Sequence, residues 1–294
     1  MNDYRPLQLE DRDSITEFFL ADPPQVSELT FTNLFMWRHA RKPVWRVAND
    51  CLLIILRSDS GEPYGLPPIG RGDKREALRA LCADLAGLHH EVKVGRVDKR
   101  FVENHVDTAK YRVKEDRDNS DYVYLAEDLI QLPGNRYHRK KNHLNRFIKN
   151  YEFDYRRFDD ELIVKVLELQ ESWCQLRECY LNPALHHEDI ATHEALEYRK
   201  ELGFTGGAIV MDGKVEAFSF GEKLNPDAVV IHMEKANPDI PGLYAAINQV
   251  FCEREWSHVR FVNREQDLGV PGLRKAKLSY YPDHLVEKFT IVPK

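Results

Sequence analysis

His258-Val259-Arg260-Phe261-Val262-Asn263-Arg264-Glu265-Gln266-Asp267-Leu268-Gly269-Val270-Pro271-Gly272-Leu273-Arg274-Lys275-Ala276-Lys277-Leu278-Ser279-Tyr280-Tyr281-Pro282 is the stretch whose reading decides the fold. Successive strand side chains point to opposite faces. Val259 and Phe261 therefore mark one apolar line, and a period of two carries Asn263, Glu265 and Asp267 along it. Gly269, Pro271 and Gly272 then turn the chain. Leu273, Ala276 and Tyr280 recur at helical spacing until Pro282 stops a short basic helix. Strand, acidic end, glycine turn and basic helix predict one wall of a functional site. A charged loop followed by a solvated helix is the plainer alternative.

Upstream of this stretch, periodicity predicts helices over 159–180 (Leu162, Val166, Leu169, Trp173) and 188–202. A strand over 205–211 closes at Asp212-Gly213, a strong hairpin signal, and returns over 215–223. A third strand (228–235) follows the Asn225-Pro226-Asp227 turn. A turn over 238–242 then leads into a helix with Leu243, Ala246, Ile247, Val250 and Phe251 on one face. A last strand is expected over 285–292. The N-terminal part runs in a similar order: a helix over 7–20, an ambiguous aromatic segment from Thr30 to Trp37, and strands over 44–47 and 51–56 around Asn49-Asp50. A Pro-rich extended piece (64–69), a helix from Asp73 with Leu78, Leu81, Cys82 and Leu85 on one face, and a strand over 91–97 complete it. Two domains are expected, 1–131 and 132–294.

With 43% hydrophobic and 31% charged side chains over 294 residues, the chain can bury substantial cores. Its formal charge of −6 argues against wholesale coating of nucleic acid. No apolar run approaches the ~20 residues that span a bilayer, and the first residues lack a basic n-region and apolar h-region. The five cysteines include no C-x-x-C pair; Cys174 and Cys179 read as buried thiols in a helical segment, and a reducing cytoplasm fits. No metal-ligand spacing, Ser-His-Asp order, Walker loop or dinucleotide fingerprint is present.

The most basic stretch departs from the overall charge. Between Asn135 and Asn150 stand Arg136, Arg139, Lys140, Lys141, Arg146 and Lys149 without one acidic residue. Tyr137, Leu144, Phe147, Ile148 and Tyr151 fall at helical spacing, so an amphipathic helix with a cationic outer face is expected. A solvated face and a polyanion-binding face are both open for it. Candidate polyanions are tRNA phosphates, anionic lipid head groups or a cofactor pyrophosphate. The basic face carries no aromatic residue on which bases would stack.

The element order resembles the GNAT acyltransferase fold, with the first part resembling a looser second copy. Three segments sharpen this: Leu132-Pro133-Gly134-Asn135-Arg136-Tyr137-His138-Arg139-Lys140-Lys141-Asn142-His143-Leu144-Asn145-Arg146-Phe147, Ile231-His232-Met233-Glu234-Lys235-Ala236, and Val262 to Gly269 followed by Gly272 to Tyr280. Together they resemble a family related to the C-terminal domain of phosphatidylglycerol lysyltransferases. Those are tandem GNAT proteins allied in fold to the Fem peptidyltransferases, which move aminoacyl groups from aminoacyl-tRNA. The resemblance implies an α+β chain of two GNAT-like domains, each a mixed, mostly antiparallel sheet flanked by helices. It implies an acyl- or aminoacyltransferase with aminoacyl-tRNA as donor and an amine, a hydroxyl or a lipid head group as acceptor. Acyl-CoA is the alternative donor, and a non-catalytic small-ligand module is the third reading. A GNAT acyl-CoA loop is glycine-spaced and basic, so that its amides hold pyrophosphate. Here that position reads Asn237-Pro238-Asp239-Ile240-Pro241-Gly242-Leu243-Tyr244-Ala245, with one glycine, an acid and two prolines.

Candidate site residues follow from alternation and from that fold. His232 and Glu234 project from one strand face beside the strand of Asn263, Glu265 and Asp267. Converging carboxylates (Glu234, Glu265, Asp267) can orient an amine, or one with a raised pKa can act as general base. Arg274 and Lys277, one turn apart, can neutralise a phosphate or carboxylate or stabilise an oxyanion. Tyr244 and Asn248, at i and i+4, share a polar helix edge and with His232 and Asn263 are candidates to bind substrate. Arg136, Arg139, Lys140, Lys141 and Arg146 are the candidates for the polyanion. A structural ion-pair network among the acids and bases is the competing reading.

Overall fold

The computed structural model describes residues 3–294, and its hairpins form where the chain offers left-handed turn residues. Asn49 and Asp50 take φ of 51° and 52° between the antiparallel strands Val44–Ala48 and Cys51–Arg57. Asp212 and Gly213, at 48° and 77°, do the same between Thr205–Met211 and Lys214–Asn225. Turns with two positive φ values match the right-handed twist of the strands they join, which is why these dipeptides were legible.

The chain divides into two units. One comprises Met1–Asp121, Gln266–Pro271 and Leu285–Lys294, and the other Tyr122–Glu265 and Gly272–His284. The break expected after residue 131 lies at the end of the helix Ala126–Gln131. Each sheet is mixed and mostly antiparallel. The first contains the C-terminal strand Lys288–Pro293 between Val94–Asp98 and Tyr111–Glu115. The last strand, expected over 285–292, is in fact two: His284–Val286 belongs to the second sheet and Lys288–Pro293 to the first.

In the first unit the helix Lys74–Ala86 buries Ala77, Leu78, Leu81, Cys82 and Leu85 against Cys51, Leu53, Ile55, Val94, Val97 and Ile291. Asp73 caps it by accepting from the amides of Arg75 and Glu76. A fully buried Lys288 donates to Asp121 at 2.6 Å and to Glu28 at 2.5 Å. Burial works against the Glu28 carboxylate, but Lys288 and Arg96 hold its pKa below the ordinary range.

In the second sheet the strands run in the order His284–Val286, Asp121–Leu125, Phe261–Asn263, Ala228–Ala236, Lys214–Asn225, Thr205–Met211, Asp154–Arg157. Ala228–Ala236 and Phe261–Asn263 pair in parallel only as far as Val230 and Asn263. Beyond that pair the strands part. On its other edge Ala228–Ala236 slips register against Lys214–Asn225. Phe220 pairs with Met233 and Gly221 with Ile231, so His232 is an extra, bulged residue. A bulge re-aims side chains at the cost of a ladder pair. Gly221 permits it, because a Cβ there would lie 2.2 Å from the Val230 carbonyl oxygen.

The helix Leu243–Trp256 buries Leu243, Ala246, Ile247, Val250 and Phe251, the face read from the sequence. It begins at Gly242, whose φ is 92° and whose Cβ would lie 2.6 Å from the His143 carbonyl oxygen. That close approach sets the basic helix His138–Asn150 against it. Gly242→Ala is expected to lower the unfolding free energy by roughly 2 kcal/mol through left-handed strain and the backbone clash, read as a lower urea midpoint.

Asn182 caps a helix at Pro183–Glu197, earlier than the expected start at 188, because proline suits the first helical turn. The reading of Cys174 and Cys179 as thiols is corrected: they form a disulfide. Glu178, left-handed at φ 50°, ends the helix Asp160–Arg177 and brings the two Cα atoms to 5.1 Å, within disulfide reach. Cys51, Cys82 and Cys252 are free and buried. Among the described residues no helix is long and apolar enough to cross a membrane.

Candidate functional site

Where the parallel strands of the second unit separate, two charged rungs join them. In the first, His232 Nε2 lies 2.9 Å from Glu222 Oε1 and Nδ1 3.0 Å from Glu265 Oε1. A neutral imidazole donates from one nitrogen only, so two carboxylate partners select the imidazolium. Burial opposes that charge, but the hydrogen bonds and charges of Glu222 and Glu265 outweigh it and hold the pKa of His232 up at about 9. His232 is therefore a cationic brace and not a base at neutral pH.

The second rung is the more open chemically. Glu234 accepts from Arg264 Nη2 at 2.8 Å on one oxygen and from Asn248 Nδ2 at 3.0 Å on the other. The other polar atoms of the same two partners, Arg264 Nη1 and Asn248 Oδ1, are buried and have no hydrogen-bond partner among the described residues. The guanidinium stands 5.0 Å from the centre of the Tyr280 ring and 5.7 Å from that of Tyr124. On the Tyr280 ring also sits the ammonium of Lys140, at 4.0 Å. Burial and the neighbouring Arg264 charge push the pKa of Lys140 down to about 8, with Glu234 pulling the other way. A donor, an acceptor and a destabilised cation thus surround one saturated carboxylate.

The remaining expected residues divide. Lys277 directs its ammonium to the backbone carbonyls of Arg264 and Glu265, fixing the turn that carries both rungs. Arg274 is half-buried on the same helix, Pro271–Leu278. Asn263 is buried, and its side-chain oxygen accepts from the Glu265 amide at 2.8 Å, so it shapes the loop. Tyr244 accepts from Trp173 Nε1 at 3.1 Å. Asp267 is placed elsewhere, a correction to the expected alternation. The strand ends at Asn263 and Glu265 turns left-handed at φ 57°, so the period of two stops. Asp267 falls in the first unit, where it pairs with Arg117 at 3.4 Å and accepts from the Gly269 amide.

The basic helix has two working faces. His138, Arg139, Asn142, His143 and Arg146 line an outward concavity of about 330 Å³, and Lys141 is exposed beside it. Arg136 is engaged with Asp128 at 2.7 Å. Lys140, expected on the outer cationic face, instead turns inward to Tyr280. Arg264, Glu222, Tyr124 and Tyr280 also line the two rungs, and no local spacing marks them as site residues. Arg264 lay in the opening stretch, but strict alternation assigned it to the face away from Glu265.

The splayed parallel pair, the bulge in one of its strands and the flanking helices belong to a GNAT-like fold, here in tandem. Residues 23–292 match the family described as phosphatidylglycerol lysyltransferase, C-terminal, and the chain belongs to that family. The structure is similar to that of a conserved protein of unknown function from Bacteroides thetaiotaomicron, with 34% identity and a TM-score of 0.92 over 99% of each chain. FemX shares the fold at 9% identity and a TM-score of 0.61, over 98% of this chain and 96% of that one. An uncharacterised protein of Mycoplasmoides gallisepticum is 24% identical over 187 residues, 62% of this chain; the chain spans 59% of that curated relative's length.

Proposed function

We propose that the chain moves an aminoacyl group from aminoacyl-tRNA to an amine or hydroxyl acceptor. One observation carries this reading: a single helix, His138–Asn150, presents Arg139 and Arg146 outward from a cationic concavity and Lys140 inward to the Glu234–Arg264 rung. Phosphates held on the outer face would deliver an attached ester to the inner one. Family membership and the fold shared with FemX support the same class of reaction. In the step itself the acceptor nitrogen or oxygen attacks the ester carbonyl, the bond to the ribose oxygen breaks, and the acceptor's proton ends on the departing hydroxyl. Arg264 Nη1 is the donor available to the carbonyl oxygen as it gains charge, and Asn248 Oδ1 is the acceptor available to a substrate N–H.

The acyl-CoA alternative draws no support from the loop before Leu243. Asn237 Oδ1 accepts from the Asp239 amide, and Asn237 Nδ2 donates to Glu216, so this segment is braced on itself. The double variant Arg139→Glu/Arg146→Glu tests the tRNA reading by filter binding across a salt series. Affinity at low salt is expected to fall at least ~10-fold, and the slope of log K against log salt to drop by about 2, with an unchanged circular dichroism spectrum. Unaltered affinity and slope would remove the polyanion face, and the donor with it.

A further inference from the structure

The name of the family points to lysine, so the charge of the site bears on which aminoacyl group this chain takes. The carboxylates around the strand splay are already engaged. Glu234 is held on both oxygens by Arg264 and Asn248, while Glu222 and Glu265 face the two nitrogens of His232. Glu222 and Glu265 each spend one oxygen on the imidazolium, so their charge is shared with His232. Lys140, in contrast, makes no ion pair among the described residues and rests on the face of Tyr280. The charged neighbours that act on it are Arg264, Glu234 and Arg139, and Glu234 is shared with Arg264. The local balance is positive.

Every aminoacyl ester brings the same α-amino group and carbonyl, so discrimination by charge must come from the side chain. A cationic side chain entering beside Lys140 and Arg264 would add a third positive charge to a poorly solvated place, and like charges there cost far more than in water. An acidic side chain would give Lys140 the partner it lacks. The depressed pKa of Lys140, near 8, is the electrostatic signature of a cation that an anion would stabilise.

We propose that this site, taken as the aminoacyl site of the preceding subsection, selects an aspartyl or glutamyl group and rejects a lysyl one, with Lys140 as the selecting residue. The test uses the full chain and one tRNA body carrying an amide-linked aspartyl, alanyl or lysyl group, so that only the side chain differs and nothing hydrolyses. The expected order of affinity is aspartyl, alanyl, lysyl, with at least a tenfold gap between the ends. Lys140→Glu is expected to invert that order while the melting temperature stays within a few degrees. Equal affinities, or lysyl bound tightest by the wild-type chain, would overturn the selectivity and leave the tRNA reading standing. An order that survives Lys140→Glu would overturn the assignment to Lys140. Failure to bind any of the three charged tRNAs would instead overturn the tRNA reading on which the selectivity rests.

Discussion

Arg264→Lys is expected to slow the proposed aminoacyl transfer by ~10²–10³-fold, the usual cost of losing one donor to a developing oxyanion, while changing stability little. The reason lies in how the guanidinium is divided. Nη2 is bonded to Glu234 and Nη1 has no hydrogen-bond partner among the described residues, so one end holds the rung and the other is the donor proposed for substrate. Lysine keeps a charge opposite Glu234. It cannot present a second donor in a fixed plane, nor fill the space between the Tyr124 and Tyr280 rings in the same way. Arg264→Met separates the two roles. It leaves a carboxylate with 13% side-chain exposure facing an apolar side chain. Removing one partner of a buried ion pair costs about 3–5 kcal/mol, so this variant is expected to lose stability as well as turnover. Single-turnover decay of charged tRNA, paired with urea unfolding, distinguishes the two. A lysine variant that keeps its rate within threefold would show that Nη1 does not serve the reaction.

The second large effect concerns pH. His232 titrates near 6.5 when unfolded and at about 9 in the folded chain. Because the folded value is the higher one, the folded state binds the proton more tightly. The stabilisation is fully present below about pH 6.5 and is lost as pH rises through about 9. A shift of this size corresponds to about 3 kcal/mol. Urea unfolding at pH 6 and pH 10 is therefore expected to show a decline in the wild-type chain that Glu222→Gln roughly halves, since one of the two carboxylates that hold the imidazolium is gone. Parallel pH curves for the two proteins would sink the imidazolium assignment. Other groups titrate across the same range, so the informative quantity is the difference between them.

Both rungs sit within a dozen residues of features the sequence displayed, yet neither was legible as a rung. His232, Glu234, Asn248 and Glu265 were named from alternation and helical spacing, and the structure gathers them where the strands part. Asp267 was named by the same rule and belongs to the other unit, because a left-handed Glu265 ends the alternation two residues earlier. Lys140 was assigned to the outer face because every charge on an amphipathic helix is expected outside. It lies instead against Tyr280, an aromatic residue 140 positions further along the chain. Glu222 was passed over because its meeting with His232 depends on a register slip between Phe220 and Gly221.

Short-range physics accounts for the features that the residues alone reveal. Asn49-Asp50 and Asp212-Gly213 fold hairpins because their residues accept positive φ, and the helices show their buried faces because apolar residues recur every three or four positions. The sequence motifs also carried the family and the tandem α+β architecture. Which charges are saturated and which are open is settled by long-range packing. That depends on where two parallel strands stop pairing, on one bulged histidine, and on which side of a basic helix meets an aromatic ring. Each is a contact between residues distant in the chain, and no local spacing specifies it.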